Sequence, residues 1–190
     1  FMDLRKPEMR AIFELKSILF DLIEEAMRDL DFTWVTTPKI VGSGAEGGAT
    51  LFEVDYFGRP AYLAQSPQLY KQMLMSTGLD RVFELGPAFR AEHSNTNRHV
   101  TEFQSFDGEM AWIDSQEDVM ATIERIMDYL FRGMARRGGH LLGILGKKIN
   151  VPERPYPVLT YEKCLEMVRE KGLDLKDGED LGTEGEKIIG

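Results

Sequence analysis

Residues 89–103 read FRAEHSNTNRHVTEF. Arg90, Arg98 and His99, with Glu92 and Glu102, stand between Phe89 and Phe103. A guanidinium held at the end of a strand, as at Arg90, suits bidentate contact with phosphate or carboxylate oxygens. Glu92, two residues on, falls on the same face of an extended chain and can accept a hydrogen bond from an amino group. His99 and Phe103 are four apart and share a face on the returning strand. Cations for phosphate, with an aromatic plate for a flat base, would make a nucleotide site. The same spacing equally describes a surface hairpin with solvated charges, and spacing leaves both readings open.

Position for these groups must come from the flanks. VFELGP and QSFDGEMAWI predict two strands, 81–90 and 100–113, forming a long hairpin with the charges at its tip. Residues 7–31 predict a long amphipathic helix, with Pro7 at a first helical position. Its stripe is Ile12, Leu15, Leu19, Leu22, Ile23, Ala26 and Leu30, at steps of three and four. FTWVTTPKI (32–40), rich in β-branched and aromatic residues, predicts a strand ended by Pro38. VGSGAEGGAT (41–50) carries four glycines and predicts a mobile loop. Strands are expected at 51–57 and 61–64 around GRP, then a helix over 66–77 with Ser66 as N-cap and Pro67 in its first turn.

After the hairpin, a helix over 115–135 is expected, with Ser115 and Asp118 as a capping box and RRGGH as its end. VPERPYPV (151–158) predicts an extended connector, 159–172 a helix stopped by Gly172, and the acidic tail a loop and the start of another helix. Sequential strands joined by hairpins point to an α+β fold, an antiparallel sheet with helices on one side.

The 190 residues suffice for one domain with a sizeable core. No apolar run approaches the roughly 20 residues of a membrane helix, and the N-terminus lacks a signal-peptide shape. One cysteine, Cys164, excludes an internal disulfide and fits a reducing, cytoplasmic setting. The net charge of −9 argues against broad nonspecific nucleic-acid binding, although a sum hides local basic sites. His93 and His140 have no metal-ligand spacing around them. Cys164 and the helical methionines read as packing. The chain opens on Phe1, and a preceding segment is expected.

FRAEHSNTNRHVTEF resembles the second signature motif of class II aminoacyl-tRNA synthetases: F-R-x-E, a loop, then R/H-x-x-x-F. Its details are similar to the archaeal and eukaryotic type of aspartyl enzyme. FMDLR (1–5) resembles the entry into the catalytic domain of the aspartyl, asparaginyl and lysyl subgroup. The 7–40 region, with Pro38, resembles motif 1, the dimerisation element. AEGG (45–48), within 41–50, resembles the loop that closes on the amino acid. AQSPQLYKQ (64–72) resembles the aspartate-binding segment, and 81–113 resembles motif 2 as a whole. The helical remainder, 114–190, carries no signature. The whole of 1–190 is therefore expected to be a partial, incomplete class II catalytic domain.

The resemblance implies roles. Arg90 would be the catalytic residue, holding the ATP α-phosphate and a carboxylate oxygen of the amino acid. Glu92 would meet the adenine amino group, Arg98 and His99 the outer phosphates, the backbone near Val100 the adenine edge, and Phe103 would stack on adenine. An aspartate substrate needs a fixed cation for its side chain. Lys71 is that candidate, three residues after Gln68 on one helix face. Glu46 would bind the substrate ammonium, with Ser66 and Gln68 near. Implied partners are L-aspartate, ATP, tRNA(Asp) and a second copy of the chain through motif 1.

The third motif, G-x-G-x-G-x-E-R, does not occur in this sequence. With it belong the acidic Mg²⁺ ligands and a second ATP arginine, so no metal ligand is assigned here. An anticodon-reading barrel is expected before Phe1. Two other readings stand beside the aspartate–tRNA ligase: a tRNA-independent asparagine synthetase on the same domain, and a non-catalytic dimerisation module.

Overall fold

The computed structural model describes residues 2–44, 51–91 and 100–190, in two compact units, Phe1–Pro152 and Glu153–Gly190. In the first unit a 3-10 turn, Met2–Arg5, leads into α1 (Pro7–Asp29). There follow β1 (Thr33–Trp34), β2 (Ile40–Val41), β3 (Glu53–Tyr56), β4 (Arg59–Leu63) and α2 (Gln68–Met75). The unit closes with β5 (Arg81–Phe89), β6 (Glu102–Met110) and α3 (Gln116–Ile144). The second unit holds α4 (Tyr161–Glu170), capped by the Thr160 hydroxyl, and α5 (Gly182–Ile189). Gly172, at φ 89°, follows α4 as its stop.

Two three-stranded sheets form, in the orders β1-β5-β6 and β2-β4-β3. The β5–β6 hairpin runs in register from Arg81 opposite Met110 to Phe89 opposite Glu102. Because strand side chains alternate, each face of the hairpin has one character. Phe83, Leu85 and Met110 face the main core with Leu22, Ile23, Met27, Leu30 and Phe32 of α1 and its exit, and Ile126 and Leu130 of α3. Burying such side chains contributes about 1.5–3 kcal/mol each. The opposite face carries charge and meets α2.

The expected single strand over 32–40 is instead two short strands in two sheets. β1 runs parallel to β5, and β2 runs antiparallel to β4. Between them Pro38 has no N–H for a ladder, and the Thr37 N–H is taken by the Glu84 carboxylate at 3.0 Å. The α+β layout holds, with a parallel β1 added at one edge. Helices are not confined to one side: α1 and α3 pack one face of the hairpin, and α2 the other. The turn between β3 and β4 is Phe57–Gly58, both at positive φ (53° and 76°), so Arg59 and Pro60 belong to β4.

α3 runs past RRGGH to Ile144, nine residues beyond the end expected at 135. Asp118 fastens its start, accepting from the N–H groups of Asp114 (2.8 Å) and Ser115 (3.2 Å). Gly133 and Gly138 are contact points with α1 rather than stops. A Cβ on Gly133 would lie 2.3 Å from Cδ2 of Leu22, and one on Gly138 2.8 Å from Cδ2 of Leu15. The two helices are also tied by Glu25, which accepts from both terminal nitrogens of Arg137 (2.9 and 2.7 Å) and from the Tyr129 hydroxyl (2.7 Å). Hydrogen bonding from Arg137, then from Tyr129, holds the Glu25 carboxyl below its ordinary value.

Two outcomes are expected. Gly133→Ala lowers stability by about 1–3 kcal/mol because fully buried Leu22 has nowhere to move. Gly139→Ala, with nothing within 4 Å of the added Cβ, is neutral or raises stability by up to about 1 kcal/mol. Urea unfolding of the two variants checks the pair. Secondly, a depressed carboxyl value in the fold means stabilisation that is present above the unfolded value of 4.5 and lost as pH falls through the folded one. Glu25→Gln therefore melts below the parent chain at pH 7, and the gap closes on acidification; a gap independent of pH would remove the ion pair from the account.

Candidate active site

The charged face of the hairpin reads Val82, Glu84, Gly86, Ala88 along β5 and on to Arg90. Directly opposite on β6 stand Glu109, Asp107, Ser105 and Phe103. Arg90 continues the pairing through its N–H to the Thr101 carbonyl at 3.0 Å. Its guanidinium lies 5.5 Å from the centroid of the Phe103 ring. A cation and an aromatic plate thus sit together at one end of the face.

Lys71 occupies the other end. α2 begins after Pro67, and the Ser66 hydroxyl accepts the Gln68 N–H at 3.2 Å, which fixes the first turn. Pro67 is the N-cap by backbone position, one residue later than expected. One turn on, Lys71 is buried to 4% exposure. Its ammonium donates to Asp107 Oδ1 at 3.1 Å and to the Gly108 carbonyl at 3.4 Å, with Glu109 Oε2 at 3.8 Å. The Ser105 hydroxyl donates to the other Asp107 oxygen. Between the two ends the floor is small: Gly86, Ala88 and Ser105. From position 84 to position 90 the strand rises about 20 Å, at about 3.3 Å per residue. That floor suits an elongated ligand with a flat group at one end and a polar group at the other.

Glu84 completes the face. Buried to 2%, it accepts from Thr37 N–H at 3.0 Å, from the Thr37 hydroxyl at 2.7 Å and from the Lys39 ammonium at 2.8 Å. The described face therefore carries three cations, Lys39, Lys71 and Arg90, and three carboxylates, Glu84, Asp107 and Glu109, so these six balance in a chain of net charge −9. A recess of about 140 Å³ lies beside α2, lined by Val41, Gly42, Gln65, Ser66, Leu69 and Met73 among others.

Residues 1–189 match the family described as tRNA synthetases class II (D, K and N). The chain belongs to this family. Among curated relatives, this synthetase chain is 46% identical over its 190 residues to the Aspartate--tRNA(Asp) ligase of Pyrococcus horikoshii, and covers 43% of that protein. It is 46% identical over 189 residues to the Aspartate--tRNA(Asp/Asn) ligase of Methanopyrus kandleri, covering all of this chain and 44% of that protein. The chain thus spans less than half the length of the relatives it matches. Among solved structures, the asparaginyl-tRNA synthetase of Pyrococcus horikoshii complexed with asparaginyl-adenylate superposes with a TM-score of 0.87 at 31% identity, over 98% of this chain and 43% of that one. The aspartyl tRNA synthetase of Entamoeba histolytica gives 0.79 at 33%, over 98% and 36%.

Of the residues expected from sequence, Arg90 and Phe103 come together, and Ser66, Gln68 and Lys71 stand on the α2 segment. Val100 is exposed, just before β6. Glu46, Glu92, Arg98 and His99 lie outside the described residues. Sequence reasoning missed Ser105, Asp107 and Glu109, although FQSFDGE alternates from Phe103 at a step of two, which was the available signal. It missed Glu84, Thr37 and Lys39 because nothing local marks a carboxylate at 84 as the partner of residues 45 and 47 positions earlier.

Removing the Lys71 ammonium leaves Asp107 and Glu109, two residues apart on one face of β6, without the cation that both approach. Lys71→Met is expected to destabilise the fold by about 2–3 kcal/mol, less than the about 3–5 kcal/mol of a fully buried pair, because Asp107 and Glu109 keep 19% and 25% exposure. Adding Asp107→Asn should recover part of that loss, read as the denaturation midpoint of the single and double variants.

Proposed function

We propose that this chain forms part of the active site of an aspartate–tRNA ligase. The observation that carries the reading is Lys71: a buried, fixed cation on the face that holds Arg90 and Phe103 at its far end. The names of the sequence relatives support the same amino acid.

In this reading Lys71 receives the side-chain carboxylate of aspartate. Ser66 and Gln68 lie beside the substrate ammonium, with Glu46. Arg90 bridges an oxygen of the α-carboxylate and the α-phosphate of ATP. Phe103 stacks on adenine, while Glu92 and Val100 read its edge and Arg98 and His99 meet the outer phosphates. A carboxylate oxygen of aspartate attacks the α-phosphorus, the bond to the bridging oxygen breaks, and pyrophosphate leaves. Arg90 stabilises the negative charge that gathers on the phosphoryl oxygens. A terminal ribose hydroxyl of tRNA(Asp) then attacks the mixed anhydride carbonyl, and AMP departs.

Mg²⁺, when bound, would neutralise phosphate charge. No three His, Cys, Asp or Glu side chains converge on a metal position among the described residues. Exposed Ile12, Phe13, Trp34 and Ile40, on α1 and the segment after it, support a homodimer built on the motif 1 region. No described helix is long and apolar enough to cross a membrane. A cytoplasmic setting fits the lone cysteine, Cys164.

The superposition on asparaginyl enzymes keeps a second amino acid in view, and one titration separates the two. Calorimetry with non-hydrolysable aspartyl- and asparaginyl-adenylate mimics should favour the aspartyl compound by about 100-fold, since an ammonium binds a charged carboxylate more strongly than a neutral amide. Lys71→Ala should abolish that preference while ATP affinity changes by less than about threefold. Preference for the asparaginyl compound would overturn the amino-acid assignment, and equal loss of both ligands would remove Lys71 as the specificity residue.

A further inference from the structure

Glu84 is a buried carboxylate on the substrate face that none of the steps above uses. Its three donors come from Thr37 and Lys39, in the segment that leaves the first sheet at β1 and enters the second at β2. Lys39 reaches it by laying its stem across Gly86; a Cβ there would stand 3.6 Å from Lys39 Cε. The backbone continues the connection. The Lys39 carbonyl accepts the Ala64 N–H at 3.0 Å, and the Ala64 carbonyl accepts the Phe89 N–H at 3.0 Å. Phe89 is on β5 again, five residues from Glu84 and next to Arg90. The contacts make a closed ring: Glu84 to Lys39, Lys39 to Ala64, Ala64 to Phe89, and back along β5.

We infer that Glu84 is a positioning residue that closes this ring and so sets the segment carrying Ser66, Gln68 and Lys71 in register with Arg90. The inference rests on the functional reading above for its consequence, not for its geometry. Without the carboxylate, Lys39 and Thr37 lose their anchor on β5. The 64–71 segment then loses one of its ties to β5, while the Ala64–Phe89 bond and the Lys71 contacts remain among those described. The hairpin's own pair, Arg90 and Phe103, keeps its strand register. Loss of Glu84 therefore acts on the amino-acid end of the site more than on the nucleotide end, because misplacement by a fraction of an ångström costs orienting contacts.

The test uses Glu84→Gln and Lys39→Met in the full chain, singly and together. The amide of Glu84→Gln would keep an acceptor for Thr37 but no charge for Lys39, and Lys39→Met removes the same link from the other side. Amide hydrogen exchange should quicken at least about tenfold at Ala64 and Phe89 in each single variant, while the core amides of Leu22 and Ile126 keep their rates. The aspartyl-adenylate mimic should weaken about tenfold and ATP by less than about threefold, and the double variant should be no worse than the poorer single one. Exchange that quickens throughout the core in step, or nowhere in a folded variant, overturns the positioning role. Equal weakening of both ligands overturns it as well. If the parent chain binds neither ligand, the functional reading falls, and the exchange rates at Ala64 and Phe89 still decide the role of Glu84.

Discussion

The alternation of side chains along the β5–β6 hairpin commits each of its residues to one of two environments. Phe83, Leu85 and Met110 go to a dry core, and Glu84, Asp107, Glu109 and Phe103 to the opposite face. A slip of one residue in the register would carry the carboxylates into the core and the aromatic rings onto the polar face. The register therefore fixes the site as firmly as it fixes the core. Burial of Phe83 against α1 and α3 and the pairing of Lys71 with Asp107 are two consequences of one alignment.

That alignment rests on the packing of α1 against α3, which two glycines of α3 make close. Gly133 and Gly138 let Leu22 and Leu15 of α1 press against the α3 backbone. The two helices then form one close-packed layer beneath the sheet, and the Glu25–Arg137–Tyr129 contacts tie them to each other. Close packing of this kind transmits strain, so a methyl group at position 133 disturbs the support rather than only the helix.

Much of this was legible because the signals are local. The stripe on α1, the hairpin, and the F-R-x-E pattern each lie within a short stretch and follow a fixed period. The failures share one cause, which is distance along the chain. Gly138 and Gly139 read as a helix end until Leu15 is seen against Gly138. FTWVTTPKI reads as a strand until Glu84 is seen taking the Thr37 N–H that a ladder would need. In each case a tertiary partner overrode a local propensity that was correctly read.

The charges around Lys71 also bear on how an amino acid could be chosen. One ammonium faces Asp107 and Glu109, so the described cluster already has one carboxylate in excess. An incoming aspartate side chain adds another. Carboxylates crowded about a single cation in a low-dielectric pocket repel one another, and hydrogen bonding alone does not offset that repulsion. An asparagine amide would meet no such repulsion. A buried lysine is therefore necessary for taking an anion here but not sufficient for preferring it. Selectivity for aspartate requires a further cation close to the same carboxylate, or a shift that turns Glu109 away as the ligand enters. Arg90, at the far end of the small-residue floor, is engaged with the aromatic plate of Phe103. In the proposed reading the hairpin and α2 set where the substrate side chain lies, and the balance of cations and carboxylates around Lys71 sets whether an anion is taken there.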